Sequence, residues 1–343
     1  MKAVMLSEPG NIGLIEMPEE EPGLGEVKLR IQSCSVCGSD LEGYHGQHPK
    51  MTFPRIMGHE VASIVEAVGE GVEGLKIGDR VAGTGRKACR SCPSCRAGRP
   101  AECTQLGGPG FTADGAYAEA MTVVCDDLTP IPENLSFDEA AVAQPVAIAN
   151  HAVSGRARIE AGETILVQGC GPIGLATMML ARLKGARVIS TDIVDYRVQK
   201  ARELGADLAI NSAKEDVMAP IQDLTNGEGV DKVIECVGAD QDDTLPQAVE
   251  AVRESGLVVV VGSFAQNRAT IPIIDFKFSE KAIIGSQGMP EGYDPVFELM
   301  AAGKLDVEPL ITHRVPLDQA PHALDLMDRK AEEVVKVVLQ PQK

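Results

Sequence analysis

The 343-residue chain has no tryptophan and only 7 Phe and 4 Tyr. A pocket built as an aromatic cage is therefore not expected, and a small polar substrate fits the scarcity better than a bulky aromatic one. Positive charge is also short: 32 Lys+Arg stand against 50 Asp+Glu, a net charge of −18. Such an excess repels phosphate backbones and anionic lipid heads, which excludes nucleic acid and membrane surfaces as expected partners. No run approaches the roughly 18 apolar residues of a membrane-spanning helix, and the opening MKAVMLSEPGNIGLIEMPEE lacks the apolar core of roughly 7–15 residues that a secretory signal carries. The expectation is a cytoplasmic protein. Neither a repeat of roughly 20–50 residues nor a low-complexity segment is found. At roughly 150 residues per domain, the length allows two or three domains.

Cysteine is well represented, with nine residues, and a cytoplasmic setting argues against a disulfide framework. Four fall in one window, Cys89-x2-Cys92-x2-Cys95-x7-Cys103, interleaved with Pro93, Gly98 and Pro100, which forbid a regular helix or central strand. Four thiols on such spacing in a polar loop point to a tetrahedral structural zinc, closed to substrate. The arginines and lysine around them (Arg86, Lys87, Arg90, Arg96, Arg99) make the window a poor place to bury free thiols. Cys34, Cys125, Cys170 and Cys236 are isolated in apolar segments and read as small core side chains.

Two grammars divide the chain. The first 140 or so residues carry short β-type runs (Val27–Ile31, Val61–Val65, Arg80–Ala82, Tyr117–Val124) separated by Gly and Pro clusters, the mark of an irregular, mostly antiparallel β domain. From Thr164 apolar strands alternate with helices: Ile165–Gln168, Arg187–Thr191, Leu208–Asn211, Lys232–Val237, Leu257–Val261 and Ala282–Gly285. Six such strands with helical crossovers predict an α/β fold with a doubly wound parallel sheet. The expected domains are 1–146, with a metal lobe at 86–105, then 147–285, and a return to the first domain over 286–343.

After the first of the later strands comes Gly169-Cys-Gly171-Pro172-Ile173-Gly174, opening a helix whose apolar positions Ile173, Ala176, Thr177, Leu180 and Leu183 keep helical spacing. In that context the motif is a dinucleotide-binding turn: Gly169 for the tight turn, Gly171 for approach of a pyrophosphate, Gly174 for close packing. Asp192 ends the second strand, where a carboxylate takes both ribose hydroxyls and repels a 2′-phosphate, so NAD is expected over NADP. Arg197, five residues on, is either a further cofactor contact or a solvated helix residue.

The third constellation is Cys37-Gly38-Ser39-Asp40 with Gly58-His59-Glu60: a thiol, an imidazole and carboxylates in loops beside β segments. Taken with the cysteine lobe, the nucleotide turn, Gly78-Asp79-Arg80-Val81, Ile311-Thr312-His313-Arg314 and Lys336-Val337-Val338-Leu339, it resembles the zinc-dependent medium-chain alcohol and polyol dehydrogenases over essentially the whole chain. The tail from Gly303 to Leu339 is most similar to the sorbitol, threonine and butanediol dehydrogenase branch. The resemblance implies a GroES-like catalytic domain joined to a Rossmann domain, with two zinc ions per chain. Cys37, His59 and, directly or intermittently, Glu60 would hold the catalytic zinc. Asp40 would fix the histidine tautomer, and Ser39 would take the substrate proton while hydride passes to the nicotinamide. It further implies a homotetramer, or failing that a dimer, joined edge to edge through Leu257–Val261 and Ala282–Gly285.

Three positions depart from that branch. Gln144, before Pro145, stands where a glutamate is usual, and is either a weak zinc ligand or a hydrogen-bonding neighbour. Glu42 occupies the place of a relay histidine, so that Glu42, His45 or water exports the proton, or the relay is absent; His45 and His48 lie near the pocket by sequence and otherwise read as solvated loop histidines. No Arg-Tyr pair surrounds Ser286-Gln287-Gly288, which points away from sorbitol itself. His151 reads as a hydrogen-bonded packing residue; His313 and His322 lack metal-binding neighbours at suitable spacing. Two other readings stay open, a zinc-free double-bond reductase of the same superfamily and a non-catalytic NAD-binding protein; either would carry at most one zinc.

Overall fold

The computed structural model describes residues 1–99, 102–238, 241–263 and 268–343, so Pro100 of the cysteine window lies outside the described residues. The chain forms two compact units, Met1–Gln144 with Val307–Lys343, and Pro145–Asp306. Residues 286–306 group with the second unit, and the chain returns to the first at Val307.

The first unit holds β1 (Lys2–Glu8), β2 (Asn11–Glu16), β3 (Glu26–Ser35), β4 (Arg55–Ile56), β5 (Glu60–Val68), β6 (Arg80–Ala82), β7 (Ala120–Val124) and β8 (Thr129–Pro130). Three helices interrupt them or follow: α1 (Gly38–Tyr44), α2 (Pro93–Arg96) and α3 (Phe137–Asn150), the last carrying the chain into the second unit. The order β2-β1-β4 makes a small antiparallel sheet. A larger sheet runs β15-β16-β3-β5-β6-β8, with β7 also on β3; its last two strands, β15 (Ile311–Pro316) and β16 (Lys336–Gln340), come from the return segment. Strand β3 shows why: Val27, Leu29 and Ile31 alternate into a core with Ile56, Val65, Tyr117 and Leu339, while Lys28 and Arg30 on the other face pair with Glu19 and Glu66. Tyr117 itself lies outside β7, joined to β1 by the Val4 amide at 2.7 Å from its carbonyl.

In the second unit β9 (Thr164–Gln168), β10 (Arg187–Asp192), β11 (Leu208–Asn211), β12 (Val230–Glu235), β13 (Val252–Val260) and β14 (Ala282–Gly285) form one parallel sheet, ordered β11-β10-β9-β12-β13-β14. Helices α4 (Pro172–Leu183), α5 (Asp195–Glu203), α6 (Met218–Leu224), α7 (Thr244–Ala251) and α8 (Ile273–Phe278) supply the crossovers, and α9 (Asp294–Ala301) follows the last strand. The order reverses between β9 and β12, which leaves a crevice at their carboxyl ends, the place where ligands bind in doubly wound sheets. The sequence reading of two strand edges is corrected here. Leu257–Val261 lies in or next to β13, which pairs with β12 on one side and β14 on the other. Among the described residues, β14, Ala282–Gly285, is the strand left at the edge at that end of the sheet.

Among the described residues no helix is long and apolar enough to cross a membrane.

Candidate active site, zinc lobe and nucleotide turn

Cys37 is the N-cap of α1, and Asp40, at the third helical position, folds back so that its Oδ2 accepts from the Cys37 amide at 2.9 Å. The same oxygen accepts from the Tyr117 hydroxyl at 2.9 Å. Its other oxygen lies 3.6 Å from His59 Nδ1, close enough to pair electrostatically and too far for a hydrogen bond. Burial works against the Asp40 charge, yet His59, the Cys37 amide and Tyr117 together hold its carboxyl below the usual range. On the far side of the ring, His59 Nε2 is 3.4 Å from Ser39 Oγ. Helix α1 and the entry to β5 thus bring Cys37, Ser39, Asp40, His59 and Glu60 to one place. The donor atoms of Cys37, His59 and Glu60 lie within 4.8 Å of one another.

Polar atoms left over in this region are informative. Asp40 Oδ1, His59 Nδ1, Glu60 Oε1 and Gln144 Oε1 are all buried without a hydrogen-bond partner, and buried polar groups ordinarily have one. A soft thiolate, an imidazole and an unspent carboxylate oxygen form a donor set that suits zinc. Gln144 sits one turn after Ala141, whose carbonyl is 3.5 Å from Ser35 Oγ on β3.

Glu60 is fully buried, and its Oε2 is already engaged by Ser35 Oγ and by Lys336 Nζ at 2.6 Å. Sequence reading assigned no role to Lys336, Ser35 or Tyr117. The signal for Lys336 was a single cation inside the apolar run Val334–Leu339. Of the loop histidines, His48 stacks on Phe111 with centroids 4.7 Å apart, and Phe111 tilts against His59 at 4.6 Å. Burial lowers the His48 imidazole's affinity for a proton, with Glu42 opposing. His45 instead bonds Asp328 at 3.0 Å, both side chains being well exposed.

The four sulfurs of Cys89, Cys92, Cys95 and Cys103 also lie within 4.8 Å of one another, and all nine cysteines are free thiols. Amides point at these sulfurs: Cys89 N to Cys103 Sγ at 3.4 Å, Cys92 N to Cys89 Sγ at 3.3 Å and Gln105 N to Cys103 Sγ at 3.3 Å. The Ser91 amide and hydroxyl and the Cys92 amide pull the Cys89 thiol down to about 6, while burial and the neighbouring Cys92 and Cys103 push Cys95 up to about 12. Four thiolates so close repel unless a cation sits among them. The lobe is tied to β3 by Arg90, whose guanidinium grips the buried Glu26 at 3.1 and 2.5 Å. Of the other cysteines Cys34 and Cys170 are buried, and Cys125 and Cys236 are partly exposed.

In the second unit Gly169 has φ +87°, and a Cβ on Gly174 would fall 1.7 Å from the Gly169 carbonyl oxygen, so neither position admits a side chain. Pro172 and Ile173 start α4 immediately after Gly171, where a Cβ would meet only the Arg197 guanidinium, at 3.9 Å. Asp192 is held across the end of the sheet by the amides of Cys170 at 2.7 Å and Val194 at 2.9 Å, one on each oxygen. Two strands along, Glu235 is buried at the end of β12, its Oε1 accepting from the Val237 amide at 2.9 Å and Thr244 Oγ1 at 3.2 Å. Burial pushes its carboxyl up to about 7. His151 lies in a π-helical turn, His151–Arg156, bonded to Glu291 at 2.9 Å.

Comparison with known proteins agrees with this arrangement. Residues 23–133 match the alcohol dehydrogenase GroES-like domain and residues 172–302 the zinc-binding dehydrogenase domain. The chain is 33 % identical to the sorbitol dehydrogenase of Halalkalibacterium halodurans over 99 % of both chains. Among solved structures it resembles 2R,3R-butanediol dehydrogenase from Bacillus subtilis (30 % identity, 99 % of both chains, TM-score 0.87). It is equally close to an alcohol dehydrogenase from Escherichia coli, RspB, complexed with NADH (29 % identity, 99 % of both chains, TM-score 0.86). With both domain models matched in order and relatives alike from end to end, the chain belongs to the zinc-dependent medium-chain alcohol and polyol dehydrogenases, oxidoreductases that act on CH–OH groups with a nicotinamide cofactor.

Proposed function

We propose that the chain oxidises a small polar secondary alcohol, such as a polyol, sugar or diol, with NAD as hydride acceptor. Cys37, His59 and Glu60 hold a catalytic zinc, with Gln144 beside them, and Cys89, Cys92, Cys95 and Cys103 hold a structural one. The observation that carries this reading is the convergence of the donor atoms of Cys37, His59 and Glu60 within 4.8 Å of one another, with Glu60 Oε1 buried and unpartnered. When bound, the zinc supplies a Lewis acid that makes the substrate hydroxyl easier to deprotonate. Ser39, at hydrogen-bonding distance from His59 Nε2, would relay that proton, accepting it as its own hydroxyl proton passes on towards solvent. Asp40 acts through His59, and Tyr117 through Asp40, keeping the ring aimed. His48 stacks on Phe111, which lies against His59, whereas His45 is turned to Asp328.

On the cofactor side, Gly169, Gly171, Pro172, Ile173 and Gly174 present the start of α4 to the pyrophosphate. Asp192 takes the adenosine ribose hydroxyls, and Arg197 lies against the same turn. The chain works in the cytoplasm as a homotetramer, or second to that a dimer, with the β14 edge as the joint.

A panel of polyols, sugars, 3-hydroxy amino acids and diols with NAD, followed at nicotinamide absorbance, tests the activity. Metal analysis tests the site: Cys37→Ser or His59→Ala should remove one of two zinc ions per chain and cut turnover by several orders of magnitude, leaving NAD binding intact. Ser39→Ala should keep both ions while the rate falls roughly 10²–10⁴-fold. Full activity of metal-free Cys37→Ser protein would sink the mechanism in favour of a zinc-free reductase.

A further inference from the structure

Lys336 is a fully buried cation placed behind the candidate metal ligands. Its Nζ donates to Glu60 Oε2 at 2.6 Å and to the Val36 carbonyl at 2.8 Å, across a sequence separation of 300 residues in the second case. Val36 immediately precedes Cys37, and its amide is in turn bonded to the Val337 carbonyl at 2.9 Å. One ammonium from the return strand β16 therefore braces both segments that carry metal ligands. On Glu60 it acts together with Ser35 Oγ, and both occupy the same oxygen, Oε2. The second oxygen, Oε1, is buried and has no partner. A carboxylate held this way cannot present both oxygens to a cation, nor can it rotate freely.

We infer that Lys336 is a positioning residue for the catalytic metal that acts through Glu60: it spends Glu60 Oε2 and fixes the direction of Oε1 as the one available donor. The inference rests on the reading of Cys37, His59 and Glu60 as metal ligands. Without Lys336 the Glu60 carboxylate loses its counter-charge and its orientation together, while the cysteine lobe, built from other segments, is untouched.

The test is zinc release from the purified full-length protein into a colorimetric chelator, where the Cys89–Cys103 zinc serves as an internal reference. Lys336→Met should speed release of one zinc by roughly 10–100-fold, as expected for losing a group that orients a ligand, and leave the other at the wild-type rate. Lys336→Arg, which retains the charge, should recover much of the difference. Release of both ions at wild-type rates from Lys336→Met would overturn the inference, as would faster release of both, which would mark a general loss of stability. Should Lys336→Met fold poorly, the Glu60→Gln and Glu60→Gln/Lys336→Met variants decide the matter, since removing both charges avoids an unpaired buried ion. If Lys336 acts through Glu60, the double variant releases zinc as fast as Glu60→Gln alone; additive effects would contradict the inference. Cys37→Ser separates the two claims: if it kept both zinc ions the ligand reading itself would fail, whereas loss of one there with an unchanged Lys336→Met would defeat only the role of Lys336.

Discussion

The Tyr117 hydroxyl donates to Asp40 Oδ2 at 2.9 Å, on the carboxylate whose other oxygen faces His59. Tyr117 thus anchors the carboxylate that lies 3.6 Å from the His59 ring. Tyr117→Phe removes one donor from a buried carboxylate while conserving the ring, and should lower stability by roughly 1.5–3 kcal/mol. The imidazole should also become less well oriented, so that zinc occupancy under chelator challenge falls while the cysteine-lobe zinc stays. Thermal unfolding and metal analysis of the single variant check both; unchanged values would show that the Asp40 contact to Cys37 suffices.

Among the described residues of the cysteine lobe, Cys103 is the one buried apolar side chain, and the lobe is expected to depend on its metal. Cys95→Ser should release one zinc per chain and lower the unfolding temperature, because a structural zinc contributes folding free energy. Unchanged zinc content and melting would mean the lobe holds no metal.

Asp192 is expected to set cofactor choice by charge. Asp192→Ser with an added neighbouring arginine should raise kcat/KM for NADP relative to NAD, by removing repulsion of the 2′-phosphate. A wild-type protein that already prefers NADP would contradict the assignment.

Glu235 predicts a pH dependence of stability in the second unit. Its folded carboxyl titrates at about 7 against an ordinary value of 4.5, burial being the cause. Between those two values the folded state holds a proton that the unfolded state has released. The stabilisation is therefore complete below pH 4.5 and declines as pH rises towards 7. The whole effect is on the order of 3 kcal/mol. Urea unfolding of wild type and Glu235→Gln across that range checks it: the stability difference between them should change steadily with pH and level off above it. A difference independent of pH would place the ionisation elsewhere.

Much of the second unit was legible because its information is local. Ile165–Gln168, Leu208–Asn211 and Ala282–Gly285 are continuous apolar runs bounded by turns, and the glycines of the nucleotide turn are required by backbone geometry within six residues. The four cysteines are equally local. What escaped notice was carried by pairs distant in sequence. Tyr117 reaches Asp40 across 77 residues and Lys336 reaches Val36 across 300, and no spacing rule connects such positions. Glu235 escaped for a different reason: inside the run Lys232–Val237 nothing local shows that the strand ends at the carboxyl and that the residues beyond it bury it. The edge assignment of Leu257–Val261 failed because strand order, unlike strand existence, depends on pairing partners that the run itself does not encode.

The sheet of the first unit pairs β3, near the start of the chain, with β16, near its end, and residues 145–306 fold into a separate unit in between. On a ribosome this arrangement imposes a timetable. The intervening unit emerges whole and uninterrupted, with every strand of its sheet available, and can complete itself during synthesis. The segment bearing Cys37, His59 and Glu60 emerges earlier but waits for Lys336 and the last strand, with β3 lacking one neighbour throughout. A long loop must then close before that sheet is finished, a step that costs entropy and is slow relative to local folding. The unit carrying the nucleotide turn can thereby be ready first, and the unit carrying Cys37, His59 and Glu60 is sealed only once β16 has been made.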